Sequence, residues 1–291
     1  MKSYILGGGI TGLVAGFYTG WPVIARRVGG QLSRGFPLGP KYIYANSFNQ
    51  ELLEQLGIDT STTVVKVGYF YRGRFVKPSK QLQEAYSKKT RGTVISGAMS
   101  GMLEEFAAFT VDPTIVVECL ADECDIIQDQ IISIDLEERV MYGLHDIYEY
   151  DLLVSTIPLP EFMELTGIRC SKLAWRSILF VAAECSSDLI WDNDYDYICF
   201  PGDEPFYRIT KLAPPNVVYE FSVNPGYKVS IDYLPDTIPT DYYLLRYGKI
   251  VDKIPIINGA RYGVKLLGRY GSWNPRMMLH HVIREVKSWI D

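Results

Sequence analysis

The chain has 291 residues, of which 47% are hydrophobic and 22% charged, and these proportions are typical of a folded globular protein and exclude a mainly disordered one. Its net charge of −5 gives no general attraction to nucleic acid or to an anionic membrane, although a local basic surface is compatible with an acidic total. Five cysteines without a C-x-x-C motif and three histidines form no zinc pattern, so we expect no metal site and a reducing, cytoplasmic compartment. No stretch reaches the roughly 18 apolar residues of a membrane span.

The first residues have the pattern of a strand, a glycine turn and a helix. An apolar run at 3–6 ends in glycines, small and apolar residues follow at 10–18, and 21–25 return to a strand pattern. The next predicted elements are a helix at 50–56 that stops at Gly57, a hairpin of 64–71 and 74–76, helices near 80–88 and 97–109, a hairpin that turns near Glu137 and Glu138, and a buried strand at 152–156.

The last residues repeat the order of the first. A strand at 264–267 precedes a glycine-bearing turn and a helix with Pro275 near its first position. Between the two ends, residues 170–250 hold short apolar runs interrupted by Pro, Gly, Asn and Asp, as expected for a second sheet with long loops. We therefore expect the two ends to complete one domain and the middle to supply another.

The glycines after the first strand form a nucleotide-binding motif. Gly7, Gly9 and Gly12 stand in the G-x-G-x-x-G frame, directly after a strand and at the start of a helix. In this context glycines permit the tight turn, the approach of backbone to a pyrophosphate and close packing of helix on strand, while the helix N-terminus favours the anion. The motif predicts dinucleotide binding, against the alternative of a plain glycine-rich turn.

Two further glycine motifs extend this prediction. Gly29 and Gly30 follow the second strand and would supply a second backbone surface for the phosphates and ribityl chain of a flavin dinucleotide; alone, they would indicate only a turn. The terminal "GRYGSWNP" precedes a helix whose N-terminus suits a flavin pyrimidine, which gains negative charge on reduction. The alternative for this segment is an ordinary terminal helix.

These motifs occur in the order "GGGITGL", "RVGGQLS", "GFPLGPKYIY", "YEYDLLVSTIPLP", "PFYRITKL" and "GRYGSWNP". In this order the chain resembles the FAD-dependent amine oxidase and protoporphyrinogen oxidase superfamily, most of all UDP-galactopyranose mutase and its short relatives. The resemblance implies an α/β fold in which a Rossmann-type FAD-binding domain is assembled from N-terminal, central and C-terminal segments, with an inserted β-rich substrate domain. The corresponding ranges are 1–63, 97–160 and 255–291 for the FAD-binding domain and 64–96 and 161–254 for the substrate domain.

The resemblance also implies roles for individual residues. It places Tyr42 and Tyr44 beside the flavin ring and Arg208 beside flavin and substrate, as candidate catalytic residues; the alternative for Arg208 is an exposed strand arginine. The implied contacts with FAD are Gly7, Gly9, Ile10, Thr11, Gly12, Arg26, Arg27, Gly29, Gly30, Gln31, Gly39, Pro40, Ile131, Gly268, Arg269, Met277 and Met278.

The sequence departs from the family pattern at the adenosine end of the site. Residues 1–50 contain no Asp or Glu, so the carboxylate expected at the end of the second strand is replaced by Ala25 or Arg26. Because arginine binds phosphate, an NADP-like ligand and FAD held without the carboxylate both stay open at this point. The segment "PKYIY" also lacks the histidine of the mutases, which argues against mutase chemistry.

The function that follows from the resemblance is FAD-dependent oxidation of a C–N or C–C bond in a small or base-linked amine, by hydride transfer to flavin N5. One alternative is a flavin-dependent lyase that acts on amino-acid-modified DNA bases, for which an open site in a shortened substrate domain and the basic segment "YRGRFVKPSKQ" are the support; the commoner meaning of such a segment is an exposed basic hairpin. Others are a UDP-sugar mutase-like isomerase and a flavin-binding protein without turnover. We expect no membrane partner.

Overall fold

A computed structural model describes residues 1–34, 42–94, 103–169, 173–224, 234, 236–251 and 259–290. The chain divides into two compact units. The first unit comprises Met1–Thr60, Val111–Leu173 and Lys253–Asp291, and the second unit comprises Ser61–Thr110 and Ala174–Asp252.

The described helices have 4–12 residues and the described strands 2–14 residues. The helices are α1 (Ile10–Thr19), α2 (Ser47–Gln55), α3 (Lys80–Arg91), α4 (Pro113–Asp122), α5 (Leu159–Thr166), α6 (Asp188–Trp191), α7 (Gly268–Gly271) and α8 (Leu279–Lys287). The strands are β1 (Ser3–Leu6), β2 (Val23–Ala25), β3 (Ile43–Tyr44), β4 (Thr62–Tyr71), β5 (Arg74–Phe75), β6 (Glu105–Phe109), β7 (Ile126–Gln128), β8 (Ile131–Asp135), β9 (Val140–Gly143), β10 (Ile147–Glu149), β11 (Leu152–Ser155), β12 (Trp175–Cys185), β13 (Tyr197–Cys199), β14 (Arg208–Lys211), β15 (Asn216–Val223), β16 (Thr237–Ile250) and β17 (Val264–Leu266). Two 3-10 turns cover Gly30–Arg34 and Gly259–Tyr262.

The first unit is built on a parallel sheet in the order β17-β11-β1-β2-β7. Its central strands are short apolar runs buried on both faces, as parallel strands require, and Ile5 and Val154 are fully buried. From β1 the chain proceeds to β2 on one side, and it returns later as β11 on the other. The strand order therefore reverses between β1 and β11, and sheets of this kind bind their ligands in a crevice beyond the carboxyl ends of the strands at such a point.

The first unit also carries a small antiparallel sheet in the order β10-β9-β8. The turn between β8 and β9 is closed by Asp135, whose Oδ1 accepts the backbone N–H groups of Glu137 and Glu138, both at 3.0 Å. This confirms the predicted hairpin.

The second unit is a mixed sheet in the order β16-β12-β15-β14-β13-β4-β6, with β5 paired to β4. One face packs an aromatic core that includes Phe200, Phe206, Tyr219 and Phe221. Helix α3 packs against β12, β15 and β16. The short apolar runs of 170–250 thus form the expected second sheet.

The structure corrects two predicted helices. Residues 105–109 form strand β6, which pairs with β4, so this part of the predicted helix at 97–109 is wrong, and its first residues lie outside the described ranges. Because of this pairing, residues 103–110 belong to the second unit and not with the nucleotide-binding segments to which the sequence assigned them. Pro275 lies in a turn, and the terminal helix begins only at Leu279.

The described helices include none that is both long and apolar enough to cross a bilayer.

Candidate nucleotide site

The glycine turn after β1 is shaped by the packing of the chain itself at two of its positions. Gly7 has a φ of 117°, and a Cβ there would lie 2.5 Å from Oγ1 of Thr156. A Cβ on Gly12 would lie 1.8 Å from the carbonyl oxygen of Gly7. Both residues must therefore be glycine for α1 to sit against the ends of β1 and β11.

Gly9 differs from these two glycines because the protein leaves room for a side chain there. A Cβ on Gly9 would meet only the Cα of Gly30, at 3.9 Å, and its φ of −78° suits any residue. The space belongs to the N-terminus of α1, which has no side-chain cap and no acidic residue in its first turn. Its leading N–H groups lack helical acceptors and carry the positive end of the helix dipole, so this space suits an anion.

Gly29 and Gly30 are held against the first glycine turn by backbone contacts with Gly8 and Gly9. Gly29 has a φ of 98° and donates its N–H to the carbonyl of Gly8 at 2.8 Å. Gly30 has a φ of 55°, and a Cβ there would lie 3.0 Å from the Cα of Gly9. Gln31 follows in a half-buried position. The two turns therefore form one continuous backbone surface beside the N-terminus of α1.

Thr156 joins this surface to β11, and the sequence analysis missed it. Its Oγ1 donates to the carbonyls of Leu6 at 3.0 Å and Gly7 at 3.2 Å. The preceding Ser155 is fully buried, and its hydroxyl has no hydrogen-bond partner among the described residues. A sequence signal existed, since Ser155 ends the buried strand β11 and Thr156 directly follows it, at the edge where the glycines lie.

The C-terminal segment that begins at Gly268 also lies beside the start of α1. Gly268 has a φ of 82°, and a Cβ there would lie 2.6 Å from Cγ2 of Thr11, which holds α7 against the start of α1. Arg269 donates from Nε to the carbonyl of Met277 at 3.2 Å and from Nη2 to Sδ of Met278 at 2.8 Å. The predicted residues Gly268, Arg269, Met277 and Met278 are thus in mutual contact or beside the glycine turn.

The adenosine end has the composition that the sequence indicated. Ala25 is buried as the last residue of β2, and Arg26 and Arg27 follow it as exposed side chains. In the part of the chain that the structure describes, neither arginine has a hydrogen-bond or ion-pair partner.

Five other residues complete the predicted set. Ile131 is buried at the start of β8. The carbonyl of Tyr44 accepts the side-chain amides of Asn46 and Asn49 at the start of α2, and Tyr42 is half-buried. Gly39 and Pro40 lie outside the described residues.

Comparison with known proteins gives matches in structure only. The sequence matches no protein-family model and no curated protein. Reduced UDP-galactopyranose mutase matches with a TM-score of 0.76 and 14% identity, over 100% of this chain and 94% of that chain. A putative protoporphyrinogen oxidase from Exiguobacterium sp. 255-15 matches with a TM-score of 0.65 and 14% identity, over 99% and 97%. Putrescine oxidase bound to putrescine matches with a TM-score of 0.65 and 10% identity, over 99% and 98%.

The chain has the fold of UDP-galactopyranose mutase, of the putative protoporphyrinogen oxidase and of putrescine oxidase. The fold predicted from the sequence is therefore confirmed. At these low identities the likeness establishes the fold alone, and the roles of single residues stay predictions.

Arg208 lies on β14 of the second unit, in a partly buried ion pair with Glu220. Its Nη2 is 2.5 Å from Oε1 of Glu220, its Nε donates to the same oxygen at 2.8 Å, and the hydroxyl of Tyr207 donates to the other carboxylate oxygen. Burial alone would raise the pKa of Glu220, but Arg208, Lys249 and the hydrogen bonds hold it below its ordinary value.

The ion pair fixes the position of Arg208, but its side chain stays partly exposed. The guanidinium stands over the ring of Tyr197 at 4.8 Å, and 28% of the Arg208 side chain stays exposed while Glu220 is 1% exposed. Arg208 is thus a partly exposed strand arginine with a fixed ion-pair partner. Glu220 could have been noticed in the sequence as the single charge within the apolar run of β15.

The described residues contain no group of three or more His, Cys, Asp or Glu side chains that could hold a metal ion.

Proposed function

We propose that the first unit binds FAD and that the protein is an FAD-dependent oxidoreductase that oxidises a C–N or C–C bond of an amine-bearing substrate. The observation that carries this proposal is the space at Gly9. The packing of the protein explains Gly7 and Gly12 but does not require a glycine at Gly9, whereas a pyrophosphate lying against the helix N-terminus does.

The donors around this space fit a dinucleotide. The N–H groups of Ile10, Thr11 and Gly12 begin α1 and would hold the pyrophosphate. The surface of Gly29 and Gly30 would lie along the phosphates and the ribityl chain. A long, continuous glycine surface favours FAD over a nicotinamide cofactor, which would need only the first turn.

The segment from Gly268 to Met278 would hold the flavin end. Helix α8 begins at Leu279 and presents the positive end of its dipole, with Arg269 held close by Met277 and Met278. Both features favour negative charge on a flavin pyrimidine. When bound, FAD supplies the hydride acceptor for the oxidation.

The second unit would hold the substrate. Arg208 is fixed by Glu220 and still partly exposed, so it can orient a polar or anionic group of the substrate without moving. The aromatic ring of Tyr197 beneath the guanidinium adds an apolar surface at the same place. Tyr42 and Tyr44 are the proposed neighbours of the flavin ring.

The test is an absorbance spectrum of the purified protein followed by anaerobic titration. We expect a flavin spectrum that is bleached by an amine such as putrescine. Bleaching only by NADPH would shift the function to a reductase or to a mutase-like isomerase, and bleaching by neither would indicate binding without turnover. Salt-sensitive retention on DNA would support the lyase alternative, for which the exposed basic hairpin of Arg72 and Arg74 is the available surface.

A further inference from the structure

The adenosine end of the nucleotide site carries two unpaired positive charges and no carboxylate. Arg26 and Arg27 follow directly after β2, are exposed, and have no acidic partner among the residues that the structure describes. The sequence adds that residues 1–50 contain neither Asp nor Glu. The usual acceptor for the ribose hydroxyls is thus absent from this strand end, and donors stand in its place.

Backbone contacts hold the pair beside the glycine turn. A Cβ on Gly8 would lie 2.7 Å from Cβ of Ala25 and 2.8 Å from the carbonyl oxygen of Arg27. The N–H of Gly7 donates to the carbonyl of Ile24 at 2.9 Å, and that of Gly29 to the carbonyl of Gly8 at 2.8 Å. Residues 25–29 are therefore pinned to the same carboxyl edge of the sheet as the anion-binding N-terminus of α1.

Whether a carboxylate or a guanidinium stands at the end of the second strand decides which group on the ribose the site accepts. A carboxylate at the end of the second strand accepts hydrogen bonds from ribose hydroxyls and repels a phosphate attached to that ribose. A guanidinium has only donors, stays charged, and binds phosphate through two parallel N–H bonds. Two guanidinium groups without an internal partner thus create a site for a dianion.

We propose that Arg26 and Arg27 bind a phosphate on the ribose of an adenosine nucleotide, so that the nucleotide site admits 2′- or 3′-phosphorylated adenosine in competition with FAD. This inference rests on the proposed function, because it takes the crevice beyond β1 and β11 to be a dinucleotide site. It goes further in naming the ligand chemistry at the adenosine end.

The experiment is competition against FAD on the purified full chain. The probes are 5′-AMP, adenosine 2′,5′-bisphosphate and adenosine 3′,5′-bisphosphate, and displacement is followed by flavin fluorescence. We expect at least one bisphosphate to compete about ten-fold or more better than 5′-AMP, the effect of a charge-assisted phosphate contact. A 2′ preference would indicate an NADP(H)-type ligand, and a 3′ preference a coenzyme A-type ligand.

Substitutions show whether the arginines cause the preference. On the double variant Arg26→Ala/Arg27→Ala, all three probes should compete with FAD equally well, because the donors for the additional phosphate are gone. Arg26→Glu should reject both bisphosphates. The matched control is Arg169→Ala, which removes an exposed arginine of the same unit beyond the far end of α5.

Two results would overturn the inference while leaving the proposed function intact: FAD binds but neither bisphosphate competes better than 5′-AMP, or the preference survives in the double variant. If FAD and 5′-AMP both fail to bind, the proposed function fails, and the inference fails with it.

Discussion

Thr156 connects two strand ends that are about half the chain apart in sequence, because its Oγ1 donates to the carbonyls of Leu6 at 3.0 Å and Gly7 at 3.2 Å. β1 and β11 are neighbours in the parallel sheet, and their carboxyl ends form the crevice of the candidate site. The hydroxyl therefore stabilises the wall against which the glycine turn rests.

Replacing Thr156 with valine should lower the free energy of unfolding by about 1–2 kcal/mol, because the carbonyl of Gly7 loses the hydroxyl donor and that of Leu6 keeps only the backbone N–H of Thr156, while side-chain volume is kept. Urea denaturation measures the change. The matched control is Thr166→Val, where the hydroxyl bonds only to the carbonyls of Phe162 and Met163 in its own helix, so the loss should be smaller. Equal losses in the two variants would contradict the bridging role of Thr156.

The two glycines at Gly9 and Gly12 should respond differently to alanine. Gly9→Ala should fold normally but bind FAD at least about ten-fold more weakly, because the methyl group enters only ligand space. Gly12→Ala should lose stability with or without FAD, because its Cβ would lie 1.8 Å from the carbonyl oxygen of Gly7. Thermal melts and flavin titrations separate the effects, and undiminished FAD affinity in Gly9→Ala would count against the site.

The buried pair of Arg208 and Glu220 should be sensitive to loss of one partner. Glu220→Gln leaves a partly buried guanidinium without its counter-charge and should cost about 3 kcal/mol of unfolding free energy. The comparison pair is Lys66 and Asp194, which is exposed, so Asp194→Asn should cost at most about 1 kcal/mol. Denaturant titration of both variants checks this, and similar small costs would show that the ion pair is not structural.

The cap of α8 predicts a loss of stability at acid pH. Nδ1 of His281 accepts the N–H of Met278 at 3.1 Å, which requires a neutral ring. Burial, and then the charge of Arg284, lower the pKa of His281 in the folded protein. As the pH falls below about 6.5, His281 therefore takes up a proton in the unfolded chain before it does so in the folded protein. The free energy of unfolding decreases as the pH falls through that region. Tm should fall between pH 7 and pH 5, and His281→Gln should flatten this dependence. A slope unchanged by the substitution would exclude the cap as its cause.

Local sequence predicted those parts of the fold that depend on neighbouring residues. The order of β1, glycine turn and α1 follows from adjacent residues, and the β8–β9 hairpin follows from its turn. Helix α4 also has a local start signal that was not among the predictions, since Asp112 caps it and Pro113 occupies its first turn.

Long-range pairing explains the main errors. The apolar spacing of Leu103 and Phe106 fits a helix, yet residues 105–109 are a strand because β4 offers a partner from far along the chain. Local sequence did not predict Thr156 and Glu220 either, because their partners Gly7 and Arg208 become adjacent to them only in the folded sheets. The prediction that Arg26 and Arg27 contact the nucleotide needed no long-range pairing, because it depends only on their place at the end of β2.

The most direct measurement is FAD binding by the purified protein. We expect a yellow protein, or a colourless one that binds added FAD in a 1:1 complex with a raised Tm, and FAD binding at least about ten-fold weaker in Gly9→Ala. A protein that shows neither a flavin spectrum nor any stabilisation by saturating FAD would contradict the central claim.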